Sequence, residues 1–466
     1  MFGFRYLKRH WNAPQGYKDI LRIGLPLVAS MVSSTVMQFT DRLFLSRYSL
    51  DTIAASGFAG MTSLTLLMTF QGICSYATVL AAQYVGARRP ERVGPAMWQG
   101  IWCAAIFSVL LLVSCLFAKS FFGLSSHEPE IKQLEIQYFV VLTSGSSFAL
   151  FGSAVSAYFF GRGITKPIMV ANIVAALVNI PLDYLLIWGI GPFPEMGIIG
   201  AGVATVAGWV ASLLILSLLV FNKKNDKDYY VLRGWRPEFA LFKRLIHFGL
   251  PSGTQFCVEF IAQTWFLYEL GNLGRIPQAA SNIAFAINGL VFMPMIGLSM
   301  AASTLVGQAM GSKKPFQAER ASYHTLHLAF IYMVSVAAII VLFAGNLIDI
   351  FKGSQMVGIE DFNLVRQTGI ILLYYVALYS LVDAANLIFI GALKGAGDTI
   401  MVMVTIISCV MLFLIIPLFV LRITNMVTLH SLWIIFTSYI FILALCITVR
   451  FRKRKWHKIQ VIENQH

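Results

Sequence analysis

The sequence predicts an all-α polytopic membrane protein, with twelve transmembrane helices in two pseudo-symmetric six-helix bundles. Three observations carry that prediction. The 466 residues are 58% hydrophobic and only 12% charged, with a mean hydropathy of +0.74, far from the composition of a water-soluble domain. Apolar runs long enough to cross about 30 Å of hydrocarbon, at about 1.5 Å per residue, recur along the whole chain. The first of them also comes back in the second half. Gly24-Leu25-Pro26 returns as Gly249-Leu250-Pro251, Ala54-Ala55-Ser56 as Ala279-Ala280-Ser281, and Gln83, Gly86 and Pro90 as Gln308, Gly311 and Pro315. Each pair is 225 positions apart, as 24 is from 249.

The expected spans are, in order, 20–46, 52–85, 95–118, 132–157, 165–190, 197–222, 244–269, 278–305, 320–345, 364–393, 400–422 and 429–450. Breaks between them carry charge on alternate sides. Lys and Arg gather in the N-terminal arm (Arg5, Lys8, Arg9, Lys18, Arg22), at Arg88, Arg89 and Arg92, and at Arg162 and Lys166. They gather again between Lys223 and Arg244, at Lys313, Lys314 and Arg320, at Lys394, and in the tail from Arg450 to Lys458. The opposite breaks hold few cations and the acidic turn His127-Glu128-Pro129-Glu130. That alternation is the positive-inside pattern and expects both termini in the cytoplasm. It also accounts for the net charge of +14 through orientation and anionic lipid contact, which excludes nucleic acid as the expected partner.

The one long polar interruption, Asn222 to Arg244, falls where the repeat expects a boundary. The domains expected are therefore 1–230 and 231–450, two six-helix halves, with 451–466 as a basic cytoplasmic tail. Equal topology in both halves makes them parallel repeats about an axis along the membrane normal. Gly161-Arg162-Gly163-Ile164-Thr165 and Gly391-Ala392-Leu393-Lys394-Gly395-Ala396-Gly397 look like looser counterparts, each followed by a span containing proline (Pro181, Pro417). No removable signal peptide is read at the N-terminus. The six cysteines stand singly in apolar spans, so neither a disulfide framework nor a zinc site is expected. No GxxxxGK[ST] loop is present, which argues against an ATP-driven pump.

Carboxylates inside apolar spans are costly and need a reason. Asp183 lies four residues after Asn179 on one helix face, with Pro181 between them. The pair fits either oxygen ligands for a hard cation or a helix–helix hydrogen bond. Glu259 is flanked by Phe256, Cys257, Val258 and Phe260; it reads as a proton carrier or as a permanently bonded neutral acid. Asp383 shares a face with Tyr379 and Asn386 and suits a common cavity. Asp41, next to Arg42, reads as a site residue or as an interfacial ion pair. Glu269 and Asp349 near span ends, and an i,i+4 pair of Lys394 with Asp398, read as structural.

Twelve spans in two repeats, with these acids in this order, resemble the multidrug and toxic compound extrusion (MATE) family over nearly the whole chain. The resemblance rests on Gly24-Leu25-Pro26 through Asp41, Ala82-Gln83-Tyr84-Val85-Gly86, Asn179-Ile180-Pro181-Leu182-Asp183, Gly200-Ala201-Gly202-Val203-Ala204-Thr205, Gly249-Leu250-Pro251 with Glu259, and Asp383 with Gly391 to Thr399. It implies a secondary antiporter, not an enzyme, exporting organic cations or toxic metabolites in exchange for Na⁺ or H⁺ from a bacterial plasma (inner) membrane, as a monomer among lipids and without a cofactor. Asp41, Asn179, Asp183 and Thr205 match the family's N-lobe cation pattern and would hold Na⁺. Glu259, Tyr379 and Asp383 match the C-lobe pattern of its NorM-like branch. Asp183, where many NorM-like members carry asparagine, is a DinF-like feature, so the chain mixes two subgroup patterns. A lipid-linked precursor flippase of the wider superfamily is the alternative expectation. A non-transporting receptor would have no use for acids in the middle of three helices.

Overall fold

The computed structural model describes residues 11–123, 127–352 and 362–463; Arg5, Lys8 and Arg9 of the basic arm lie outside them. Twelve long helices run through the described residues, one for each expected span. They are α1 (Tyr17–Tyr48), α2 (Leu50–Cys74, continuing as Ala77–Gly86), α3 (Val93–Leu116), α4 (Pro129–Gly161), α5 (Lys166–Trp188) and α6 (Ile198–Val220). Then follow α7 (Phe239–Asn272), α8 (Arg275–Gly311), α9 (Pro315–Asp349) and α10 (Phe362–Ala396). The last two are α11 (Thr399–Val410, a π turn at Met411–Ile415, then Ile416–Ile423) and α12 (Leu429–Arg452). Eleven are long and apolar enough to cross a membrane. The twelfth, α7, is 34 residues long; Gln255, Glu259 and Gln263 repeat along it every four residues and lower its hydropathy.

Helices dominate because a chain in lipid must satisfy every backbone N–H and C=O within its own segment. Pro26, Pro181, Pro251 and Pro294 all sit inside continuous helices. The polar stretch after α6 is also ordered. Asn222 caps a short helix, Lys223–Tyr229, by accepting from Asn225 N–H at 2.8 Å. Asp226 then accepts from the backbone N–H groups of Leu232 and Arg233 (2.7 and 3.0 Å) and folds the linker back.

The structure divides into two compact units. One holds Ile23–Cys257, Gly307–Lys314 and Gln460–His466; the other holds Met1–Arg22, Val258–Val306 and Pro315–Ile459. They are called here the N-terminal and C-terminal units.

Glycine positions show how the repeat is built. In the N-terminal unit, a Cβ on Gly86 would lie 1.9 Å from the carbonyl oxygen of Gln308, and one on Gly311 would lie 1.9 Å from that of Gln83. The two copies of Gln-x-x-Gly thus cross backbone to backbone in a reciprocal contact, as two-fold related segments do. Gln308 Nε2 also donates to the Gly161 carbonyl at 2.8 Å. In the C-terminal unit, Gly391 and Gly395 of α10 rest on Ser299 and Ser303 of α8, with their Cβ positions 2.5 and 2.3 Å from serine carbonyl oxygens. Small residues four apart let two membrane helices approach this closely. The glycine-rich motif around Lys394 is therefore at least a packing device.

Candidate functional site

The N-terminal unit brings Asp41, Asn179, Asp183 and Thr205 together. Asp41 comes from α1, Asn179 and Asp183 from successive turns of α5, and Thr205 from α6. Close packing of α6 on α5 makes this possible. A Cβ on Gly208 would lie 3.0 Å from the Ala175 carbonyl oxygen, and one on Gly200 would lie 2.8 Å from that of Leu186. Larger residues at either position would push Thr205 away from the acids.

All four side chains are buried, Asn179 and Asp183 completely. Asp183, Thr205 and Asn179 stand close enough to the Asp41 carboxyl to act on its charge. Of these groups, the Thr205 hydroxyl makes the hydrogen bond of sound geometry, donating to Asp41 Oδ2 at 3.2 Å, with the Ala201 carbonyl as its other acceptor at 3.0 Å. Asp41 Oδ1, both oxygens of Asp183 and both amide atoms of Asn179 are buried with no hydrogen-bond partner. Buried polar atoms are nearly always satisfied, so these oxygens require a partner beyond the protein's own donors, whether a water, a proton or a cation. Oxygen donors from two carboxyls, an amide and a hydroxyl form a hard set suited to Na⁺. Two carboxyls in contact equally suit a shared proton.

The C-terminal unit holds the other predicted residues. On α10, Asp383 is buried and accepts from Asn386 Nδ2 at 3.0 Å. Tyr379, one turn earlier, is buried with its hydroxyl unpartnered and its ring edge-on to Phe436 at 5.7 Å. Glu259 on α7 is half-buried and faces the charge of Lys394. Tyr439 on α12 lies within electrostatic reach of both Glu259 and Asp383.

Several neighbours of these residues escaped the sequence reading. Tyr138 of α4 stands beside both Asp41 and Asp183; nothing in the sequence marks it among many aromatic residues. Asn172 accepts from Ser212 at 3.2 Å, receives Ser33 on its carbonyl at 3.3 Å, and donates to Ser30. It lies seven residues before Asn179, on the same helix face, and that spacing was the available signal. The structural residues resolve as well. Both oxygens of Asp398 are taken by Arg450 (2.7 and 2.9 Å), Glu269 pairs with Arg422 at 3.2 Å, and Asp349 pairs with Arg366 at 2.7 Å.

Comparison with known proteins gives this arrangement its context. The family model MatE matches residues 26–185 and again 251–420. The chain belongs to the MatE family. The two matched stretches begin at Pro26 and Pro251, the same pair that opens the internal repeat. As a MatE protein the chain is a membrane transporter and not an enzyme. It is 25% identical over 453 residues to a probable multidrug resistance protein NorM of Mannheimia succiniciproducens, covering 95% of each chain. It is 27% identical over 387 residues to the protein of that name from Pasteurella multocida, covering 82% of this chain and 81% of the relative. Its fold matches a MOP superfamily transporter from Pyrococcus furiosus with a TM-score of 0.86 at 21% identity, over 97% of this chain and 98% of that one. It also matches an outward-facing multidrug resistance MATE transporter with a TM-score of 0.85 at 20% identity, over 98% and 99%.

Proposed function

We propose that this MatE transporter is a secondary antiporter that exports cationic, amphiphilic drugs or toxic metabolites in exchange for Na⁺ or H⁺. The observation that carries the reading is the pair of buried carboxyls, Asp41 and Asp183, of whose four oxygens only Asp41 Oδ2 has a hydrogen-bond partner, the Thr205 hydroxyl. Two negative charges in contact in a low-dielectric interior repel unless a cation or a proton joins them. Binding that ion with different affinity in two conformations is the requirement for driving transport. Each inward charge in excess of the outward one gains about 2.3 kcal/mol per 100 mV, roughly a fiftyfold gradient, whereas a one-for-one exchange of monovalent cations is driven by the ion gradient alone. Glu259, Tyr379 and Asp383 supply a second acidic surface, suited to a cationic cargo.

The alternation of basic residues favours both termini on the cytoplasmic side, and the same reading takes the chain as a monomer in a bacterial plasma membrane. The decisive experiment is efflux of a fluorescent organic cation from proteoliposomes under an imposed Na⁺ or H⁺ gradient. Export that follows one gradient in wild type, and fails in Asp183→Asn, supports the reading. Export indifferent to both gradients overturns it.

A further inference from the structure

One carboxylate in the N-terminal unit meets two hydrogen-bond donors and two further guanidinium groups, drawn from two places in the chain. Glu463, in the segment after α12, accepts from the Tyr84 hydroxyl at 2.9 and 3.1 Å. The Arg244 guanidinium hydrogen-bonds the same carboxylate. Arg89 lies at 3.3 Å and Arg92 at 3.7 Å. Arg92 is itself oriented by a two-pronged pair with Glu238 at 3.0 and 2.8 Å. Tyr84 is fully buried, and both Arg89 and Arg92 stack on its ring at 5.6 and 5.7 Å. Val461, two residues before Glu463, is buried too.

An isolated surface ion pair would mean little, since each is worth about 0–1 kcal/mol. Here the geometry is convergent, and the tyrosine hydroxyl is a directional donor rather than a screening charge. Three of the four groups belong to the first copy of the repeat, and Arg244 stands at the start of the second. At the 225-residue offset, Tyr84 corresponds to Ala309, Arg89 to Lys314, Arg92 to Gln317 and Arg244 to Asp19. The duplicated backbone is kept, and the tyrosine and second arginine of the receptor have no counterpart.

We propose that Tyr84, Arg89, Arg92 and Arg244 form a carboxylate-binding site whose ligand is Glu463 of the chain's own C-terminal segment, which makes residues 460–463 a detachable strap. The hold is ionic and only partly shielded, with Glu463 30% and Arg244 35% exposed at the side chain, so salt weakens it. Burial works against ionisation of Glu463, but its own backbone N–H, the Tyr84 hydroxyl, Arg244 and Arg92 outweigh burial and hold the carboxyl below its ordinary range. A lowered value means the strap is fastened at neutral pH and comes loose as pH falls through that value.

The test uses full-length protein, free of native cysteines, carrying a nitroxide at Gln460→Cys in phosphatidylcholine liposomes. Electron paramagnetic resonance reads the mobile fraction of the label. Glu463→Gln and Arg244→Gln should each raise that fraction about two- to fivefold, the range of a partly exposed ion pair. Raising salt to about 1 M, where screening acts within about 3 Å, should do the same in wild type and add little in Glu463→Gln. Glu463→Arg should free the label, and adding Arg244→Glu should recover part of the hold. A label equally immobile in wild type and Glu463→Gln overturns the proposal. So does a wild-type label freed by phosphatidylglycerol, because a lipid phosphate would then be the preferred ligand.

Discussion

The two acid sites differ in how they deal with their own charge. In the N-terminal unit, Asp41 and Asp183 face one another, and Thr205 is the hydrogen-bond donor to the pair. In the C-terminal unit, Asp383 has an amide partner three residues along its own helix, Asn386, and Glu259 faces the charge of Lys394. The first site is incomplete in its hydrogen bonding, with Asp41 Oδ1 and both Asp183 oxygens unpartnered; the second gives Asp383 an amide donor and Glu259 a nearby cation, and leaves the Tyr379 hydroxyl unpartnered. Both halves of the chain match the same family model, over residues 26–185 and 251–420, and share the 225-residue offset. Duplication preserved the scaffold while the acids diverged. The lesson is that scaffold symmetry does not imply two equivalent ion sites, and substitution can separate them.

The largest effect is expected at the incomplete site. Asp183→Asn and Asp41→Asn should each reduce gradient-driven export about 10–100-fold, the usual loss when a group that shapes an ion site is removed. The double variant should be little worse than either single one, because groups that act as a unit are not additive. Proteoliposome efflux measures both. Export above half the wild-type rate in Asp183→Asn would break the comparison.

Next comes the shared scaffold. Gly86→Ala and Gly311→Ala each place a methyl 1.9 Å from a carbonyl oxygen. Overpacking of this kind costs about 1–3 kcal/mol. The contacts are reciprocal, so the two losses should agree within about 0.5 kcal/mol. Gly57→Ala, with nothing within 4 Å of its Cβ position, is the neutral control. Thermal unfolding in detergent reads all three. Unequal losses would mean that the symmetry at this crossing is only apparent.

The second site should be more forgiving. Asp383→Asn and Glu259→Gln should lower export of a given organic cation about tenfold, the scale of losing a hydrogen bond to a charged group. The change should appear in apparent affinity for cargo and leave the dependence on Na⁺ or H⁺ concentration nearly unmoved. A shift in ion dependence equal to that of Asp183→Asn would put coupling in both units.

Much of this was readable in the chain before any coordinates. Span count followed from hydropathy because lipid permits so few alternatives. The constant offset between Gly24-Leu25-Pro26 and Gly249-Leu250-Pro251 exposed the duplication. Asn179 and Asp183 declared a shared face through their spacing alone. Asp41 and Thr205 joined them only through family resemblance, since they lie on other helices and no local period links α1 or α6 to α5. Tyr138 and Tyr439 were invisible for that reason, their role being set wholly by tertiary packing. Asp398 was legible only in part. Lys394 is its partner by turn spacing, but Arg450, 52 positions on and invisible to any local rule, hydrogen-bonds both carboxylate oxygens. Local pairing rules describe isolated helices, and a bidentate arginine from another helix lies outside them.

The smallest effect isolates the one good hydrogen bond at the incomplete site. Thr205→Val is close to isosteric, removes the hydroxyl that donates to Asp41 Oδ2 at 3.2 Å, and leaves every carboxyl in place. A net hydrogen bond is worth about 1 kcal/mol, so half-saturation by the driving ion should move about fivefold, with the maximal rate nearly kept. The direction of the shift also distinguishes the ion. If Na⁺ binds, valine removes an oxygen ligand and affinity for the ion falls. If a proton binds, valine removes a hydrogen bond that steadies the charged acid, the protonated form is favoured, and half-saturation moves to lower proton concentration. Thr205→Ser restores the hydroxyl and should recover wild-type behaviour in either case. A Thr205→Val protein indistinguishable from wild type in ion dependence would show that this hydroxyl only anchors α6 to its own turn through the Ala201 carbonyl.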